Sequence, residues 1–305
     1  MFRKTIQSAL LFLFMGGGTL SAQQPNTISG IITLDSCVVH DVRSGFSLDD
    51  FIRFVSADTT FYTAFHDLRS IPYHSSAILR MFDKDHLAQA MYSNRAIQHI
   101  DNRARSMEFL FEVHTGDFFD KHGELNYYTA KLFSYIFFQR DTIALTSGTV
   151  KQSKEVSALE KRKDQLKVLL FSPGTPVEGI PFMKDKLEIF SPEMAAYYNY
   201  SLDLKKWKTG VECYVFRITK KPDVQEGKDV VIDELTTWFD KKDMHIVSRQ
   251  YHLSCYNMLY DFNVFMDVDL GMVEGVQVPV KILYNGFWDV PGKKPEYGSV
   301  QIYIW

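Results

Sequence analysis

The feature that most constrains this chain is a run of period-two alternation between residues 211 and 290. In Val211–Thr219, Cys213, Val215 and Arg217 share one face, and Tyr214, Phe216 and Ile218 the other. Val231–Phe239 follows with Ile232, Leu235, Trp238 and Phe239, and Asp240–Asp243 supplies a polar turn. Ile246–Cys255 turns Val247, Tyr251, Leu253 and Cys255 one way, and Ser248, Gln250, His252 and Ser254 the other. Tyr260–Val268 places Tyr260, Phe262, Val264, Met266 and Val268 on one side, and Val276–Val290 alternates through Val278, Val280, Ile282 and Tyr284. Alternation of this kind, bounded by turn residues, predicts half-buried strands rather than helices. Strands in succession predict an antiparallel meander over residues 205–305. One of its faces is apolar and aromatic. That face needs cover from helices, from the sheet curling on itself, or from a ligand.

The N-terminus reads as a secretory signal peptide over residues 1–22. Arg3 and Lys4 precede the apolar run Ile6–Leu20, and Ser21 and Ala22 end it with small residues. That pattern predicts cleavage after Ala22, with an uncleaved anchor as the alternative. No cysteine stands near the cleavage point, so a lipidated N-terminus is disfavoured. Export places the protein in the periplasm or at the outer-membrane periphery. No later stretch reaches the ~18 apolar residues of a spanning helix.

Residues 23–305 then form a single domain, since no clean linker interrupts them. Without Arg3 and Lys4, 32 basic side chains face 37 acidic ones. A net negative chain gives no support to a nucleic-acid partner. Its 24 Phe and 16 Tyr predict a large aromatic core or an aromatic-lined groove. Cys37, Cys213 and Cys255 form no metal or redox motif, and no cofactor is predicted. Cys213 and Cys255 pair only if their strands are neighbours; buried free thiols are the favoured reading.

The first half mixes helices and strands. Leu48, Phe51, Ile52, Val55, Tyr62, Phe65 and Leu68 follow helical spacing, with Asp58-Thr59-Thr60 as an interruption. Ser76–Phe82 and Arg103–His114 read as strands, and His86–Asn94 is ambiguous. Leu125–Ile136 is a strongly apolar helix that caps the sheet, or else a movable lid over an apolar groove. Ser153–Leu166 is a polar helix, Val168–Phe171 a strand, and Ser191-Pro192-Glu193 a helix start leading into Met194–Tyr200. The fold class is α+β: a large curved antiparallel sheet, unclosed and barrel-like, covered by helices.

Catalytic patterns are sparse. There is no phosphate-binding Gly loop in residues 23–305, no nucleophile elbow and no His-Glu-x-x-His. His114, Asp117 and His122 could meet around a turn and move a proton or hold a metal, but their spacing fits no strong motif. Glu108 and Glu112 share a strand face about 13 Å apart, too far for paired-carboxylate chemistry. Arg217, Arg249 and Lys281 could anchor an anionic head group if they faced inward; an outer-face position is favoured. Groove walls are sought instead at Tyr214, Phe216, Trp238, Tyr251, Tyr260 and Phe262, with Leu132 and Phe133 from the apolar helix.

The layout running from Gly210–Phe216 through Thr236-Thr237-Trp238-Phe239-Asp240-Lys241-Lys242 and Ile246-Val247-Ser248-Arg249 to Tyr284 resembles the exported lipoprotein-carrier superfamily, the LolA/LolB-like fold. The stretches Phe51–Leu68 and Leu170–Lys184 resemble exported proteins of Bacteroidetes. The first resemblance implies one strongly curved, unclosed sheet around helices, with an apolar cavity for acyl chains. The leading expectation is a non-enzymatic binding protein for a lipid, an acylated protein or another apolar ligand. A structural or interaction module at the outer membrane, docking an envelope protein, is the alternative; an exported hydrolase comes third.

Overall fold

The computed structural model describes residues 48–101, 104–145, 166, 169–174, 183–257, 261–290 and 294–305. The predicted signal peptide, Ser153–Asp164, Cys37 and Tyr260 lie outside them. The alternating segments form one antiparallel sheet with 11 strands among the described residues. They are β1 (Tyr73–Phe82), β2 (Ala88–Asp101), β3 (Ala104–Thr115), β4 (Ile143–Ala144), β5 (Tyr198–Lys206), β6 (Glu212–Lys220), β7 (Ile232–Asp240), β8 (Ile246–Tyr256), β9 (Asp261–Val273), β10 (Val276–Asp289) and β11 (Glu296–Ile304). Their spatial order is β4-β3-β2-β1-β11-β10-β9-β8-β7-β6-β5. β4 and β5 are the two edges and do not pair, so the sheet is not closed. Two meanders meet at a seam where β1 pairs with β11, from Ser75 opposite Ile304 to Phe82 opposite Tyr297.

The strands bend at register shifts, among them Arg95/Ala96, Ile232/Glu234 and Pro279/Lys281. An extra residue on one strand raises local twist and bends it. Proline lacks a donor for the ladder, so a shift is where Pro279 fits inside a long strand.

Helices cover the aromatic face. They are α1 (Leu48–Ala57), α2 (Thr60–Asp67), α3 (Tyr128–Phe137), α4 (Lys184–Leu187) and α5 (Pro192–Ala195). Each long helix inserts rings into the sheet. Phe51 of α1 packs 5.4 Å from Phe216 and from Phe239. Phe61 of α2 meets Tyr251, and Phe133 of α3 meets Tyr284 at 5.1 Å. Gly298 lets α3 approach, because a Cβ there would stand 3.2 Å from the Thr129 side chain.

Charge holds α3 at both ends. Its first turn lacks a local side-chain cap. Buried Glu296 of β11 supplies one, accepting from Tyr128 N at 2.9 Å and Thr129 N at 2.5 Å. At the other end Arg105 of β3, 3% exposed, donates to the carbonyls of Tyr135 (2.8 Å) and Ile136 (3.1 Å). A carboxylate at a helix N-terminus and a cation at its C-terminus both complement the helix dipole and satisfy orphan backbone groups.

Two expectations change. Leu169, Leu170 and Phe171 are helical rather than extended. The helix begun at Pro192 stops at Ala195, and β5 starts at Tyr198. Ser191 does cap it, accepting from Met194 N. Tyr198, Tyr200 and Leu202 explain the switch, since they alternate toward the core and pair with Lys220, Ile218 and Phe216.

Candidate ligand-binding cleft

The alternation decides where the proposed groove residues go. Tyr214, Phe216, Tyr251, Phe262, Leu132 and Phe133 all lie buried between the sheet and its helices. Tyr251 Oη donates to Leu170 O at 2.6 Å, and Phe262 packs 4.9 Å from Trp288. These six residues line one aromatic interior. Trp238 does not join them. Phe239 takes the inner position on β7, so its neighbour Trp238 faces the outer surface and packs 4.7 Å from Trp207.

A cleft of about 360 Å³ lies at the margin of this interior, with Phe61 and Leu235 in its wall. The turn between α1 and α2 (Asp58, Thr59), the segment Ser172–Gly174 and Phe190 surround it, and Leu235 and Arg249 of the sheet line it. Arg249 is 7% exposed. Its Nε donates to Thr237 Oγ1 at 3.0 Å, and its guanidinium carbon lies 4.5 Å from the centre of the Phe61 ring. No carboxylate among the described residues forms a salt bridge with it. Asp58 is occupied with the start of α2, accepting from Thr60 N (2.9 Å) and Thr60 Oγ1 (3.0 Å). Burial pulls the Arg249 pKa down to about 10, against the opposing charge of Asp58. The group is still cationic at neutral pH. A buried cation without a carboxylate is costly, and an anionic ligand is one way to offset that cost.

The outer-face expectation therefore fails for Arg249. β8 has even alternation here, and Arg249 is two residues from inward-facing Tyr251. Arg217 and Lys281 do face outward. Arg217 stands 3.7 Å from Glu234, and Lys281 lies between Asp267 (3.1 Å) and Asp269 (3.4 Å).

The other sequence candidates disperse. His114 packs edge-on against Phe119, Asp117 accepts from Tyr127 Oη, and the backbone N of His122 donates to Asp120. Glu108 pairs with His99, while Glu112 binds Tyr92 and Arg140. Cys213 and Cys255 are free and buried. β7 separates their strands, which removes the condition for a bridge. Burial pushes both thiols up to about 11.

No protein-family model and no curated protein matches the chain. Among solved structures, three are similar to it over much of their length. A DUF1329 family protein from Desulfovibrio piger is 10% identical, with 80% of this chain and 88% of that one covered and a TM-score of 0.25. An outer-membrane lipoprotein-sorting type domain from Vibrio parahaemolyticus is 9% identical over the same shares, with a TM-score of 0.27. A LolA superfamily protein from Nitrosomonas europaea is 10% identical over 80% of this chain and 92% of that one, with a TM-score of 0.24.

Proposed function

We propose that this protein is a non-enzymatic binding protein of the periplasm for an amphipathic ligand, a lipid or an acylated protein, whose anionic head seats on Arg249. The carrying observation is Arg249 itself, a buried cation without a carboxylate partner among the described residues, at an opening in an aromatic core. A cleft of about 360 Å³ is at the small end of ligand pockets. It suits a head group and the start of one chain. A longer chain passes Phe61 and enters among Tyr251, Phe216, Tyr214, Phe262, Leu132 and Phe133 as α2 and α3 give way. Each methylene it buries contributes roughly 0.8 kcal/mol.

The test is native mass spectrometry of the protein purified from an exporting host, followed by organic extraction and titration with oleate. A stoichiometric acyl ligand, with oleate affinity at least tenfold weaker in Arg249→Gln and retained in Arg249→Lys, is the expected result. A clean apo mass, unchanged by oleate, sinks the proposal.

One observation favours the alternative of an interaction module. Beyond Arg105, β3 has no partner on its outer edge among the described residues, and Leu110, Phe111 and Val113 are exposed there. An open, apolar edge of this kind accepts another strand. A clean apo mass together with chemical crosslinks from β3 to one envelope protein would shift the weight to that reading.

A further inference from the structure

A second constellation lies on the outer surface, apart from the cleft. Asp233 sits at the register shift of β7, where Ile232 pairs with Leu253 and Glu234 with His252. The shift leaves Asp233 without a ladder partner on β8, and its side chain lies buried beside Ser254 and His252 on the outer face of the sheet, 5% exposed. Ser254 Oγ donates to Asp233 Oδ2, while Oδ1 is buried with no hydrogen-bond partner among the described residues. His252 Nδ1 faces the same carboxylate at 3.7 Å, beyond hydrogen-bond length. Glu226, from the loop before β7, completes a group whose ligand atoms lie within 4.8 Å of one another.

The orientation of His252 follows from its other nitrogen. Nε2 is 3.0 Å from Asn263 Oδ1. Asn263 is held that way round because its Nδ2 donates to Tyr256 Oη at 2.8 Å and to Glu226 Oε1 at 3.3 Å. Asn263 Oδ1 is therefore the acceptor, and Nε2 of His252 carries the proton. In a neutral ring that leaves the lone pair on Nδ1, pointing at Asp233. Phe265 stacks on the imidazole at 3.9 Å and 9°, fixing its plane. A lone pair and a carboxylate facing each other repel unless a proton or a metal ion lies between them. A metal-ligating histidine usually donates its far N–H to a carboxylate, a backbone carbonyl or water, and the amide oxygen of Asn263 can take that accepting place here.

We propose that Asp233, His252 and Glu226 bind one divalent transition-metal ion of the zinc class, with His252 Nδ1 and one oxygen from each carboxylate as ligands. One nitrogen and two oxygens suit zinc or manganese better than calcium or magnesium, which take oxygen alone. Bonds of about 2.0–2.2 Å would draw the three atoms together by less than about 2 Å. Glu226 sits on a loop and can make that move. The ion would bridge β7, β8 and the β6–β7 loop, with Asp233 Oδ2, the oxygen nearer His252, or the unpartnered Oδ1 as the carboxylate ligand.

The experiment titrates zinc chloride into the chelator-stripped full chain by calorimetry, alongside His252→Gln, Asp233→Asn, Glu226→Gln and the surface variant His245→Gln. Expected are one site per chain, affinity at least tenfold weaker in each of the three ligand variants, and no change in His245→Gln. X-ray absorption of the zinc-loaded chain should show one imidazole nitrogen among oxygen ligands. Should buried Asp233→Asn fail to fold, His252→Gln and Glu226→Gln carry the comparison. The proposal is overturned if zinc fails to bind below about 100 µM, or if it binds equally to the folded ligand variants. In the first outcome a proton fills the gap, and in the second zinc sits elsewhere on the surface.

Discussion

Arg105 and Arg249 are both buried on the helix-covered side of one sheet, and they are used in opposite ways. Arg105 spends its guanidinium on the protein, with two bonds to the last carbonyls of α3 and a longer one, 3.4 Å, to Gln98. Among the described residues Arg249 makes one side-chain hydrogen bond, to Thr237, and lines the cleft. Burial alone therefore does not mark a functional cation. What marks it is the difference between the acceptors a group needs and those its own fold provides.

The same substitution at both positions tests that contrast most sharply. Arg105→Gln leaves two helix carbonyls without their charged donor, and is expected to lower unfolding free energy by roughly 3 kcal/mol. Arg249→Gln relieves an unpaired buried charge and should change stability by less than about 1 kcal/mol in either direction. Urea denaturation measures both, and equal losses would erase the distinction. At the opposite end of α3, Glu296→Gln keeps the shape but loses the charge and one acceptor oxygen. A loss of about 1–2 kcal/mol is expected, with weakened near-ultraviolet dichroism from the rings under the helix. An unchanged denaturation midpoint would mean that packing alone holds α3.

The smallest effect is in pH. The Arg249 pKa is depressed to about 10 in the folded state, so the cation is fully present at neutral pH and is lost as pH rises through that value. Affinity for a carboxylate ligand should be flat from pH 7 to 9, then fall toward tenfold per unit above 10. A profile flat to pH 11 in the unaltered chain, with the same affinity in Arg249→Gln, would show that the head group does not use Arg249.

Much of the sheet was legible because its cause is local. Period-two patterning located β1, β3, β6 to β8 and β10 to within a few residues and the first part of β9, which runs on to Val273, and the apolar stripe located α3. β5 was hidden because Ser191-Pro192 is a true helix start whose helix lasts one turn, and only pairing with β6 reveals the strand. The placement of Arg249 was written in its spacing from Tyr251, but a charge on an apolar face contradicts the ordinary expectation for such a face. Trp238 was misleading for the converse reason: a large aromatic side chain suggests the interior, while parity puts Phe239 there. The Asp233 cluster was not legible, since a register shift turns the side chain and the Glu226 loop has no periodicity.

The seam between β1 and β11 has a consequence for how the molecule comes into being. The fourth and fifth strands of the sheet, counted from the β4 edge, are among the farthest apart in the chain, residues 73–82 and 296–304. Closing a loop of that length costs entropy before any pairing rewards it. Until β11 is made, the two meanders are separate sheets with open inner edges, and α3 lacks the carboxylate that anchors its first turn. One strand thus supplies both the join and the latch: pairing of β11 with β1 makes the two meanders one sheet and brings Glu296 to the start of α3.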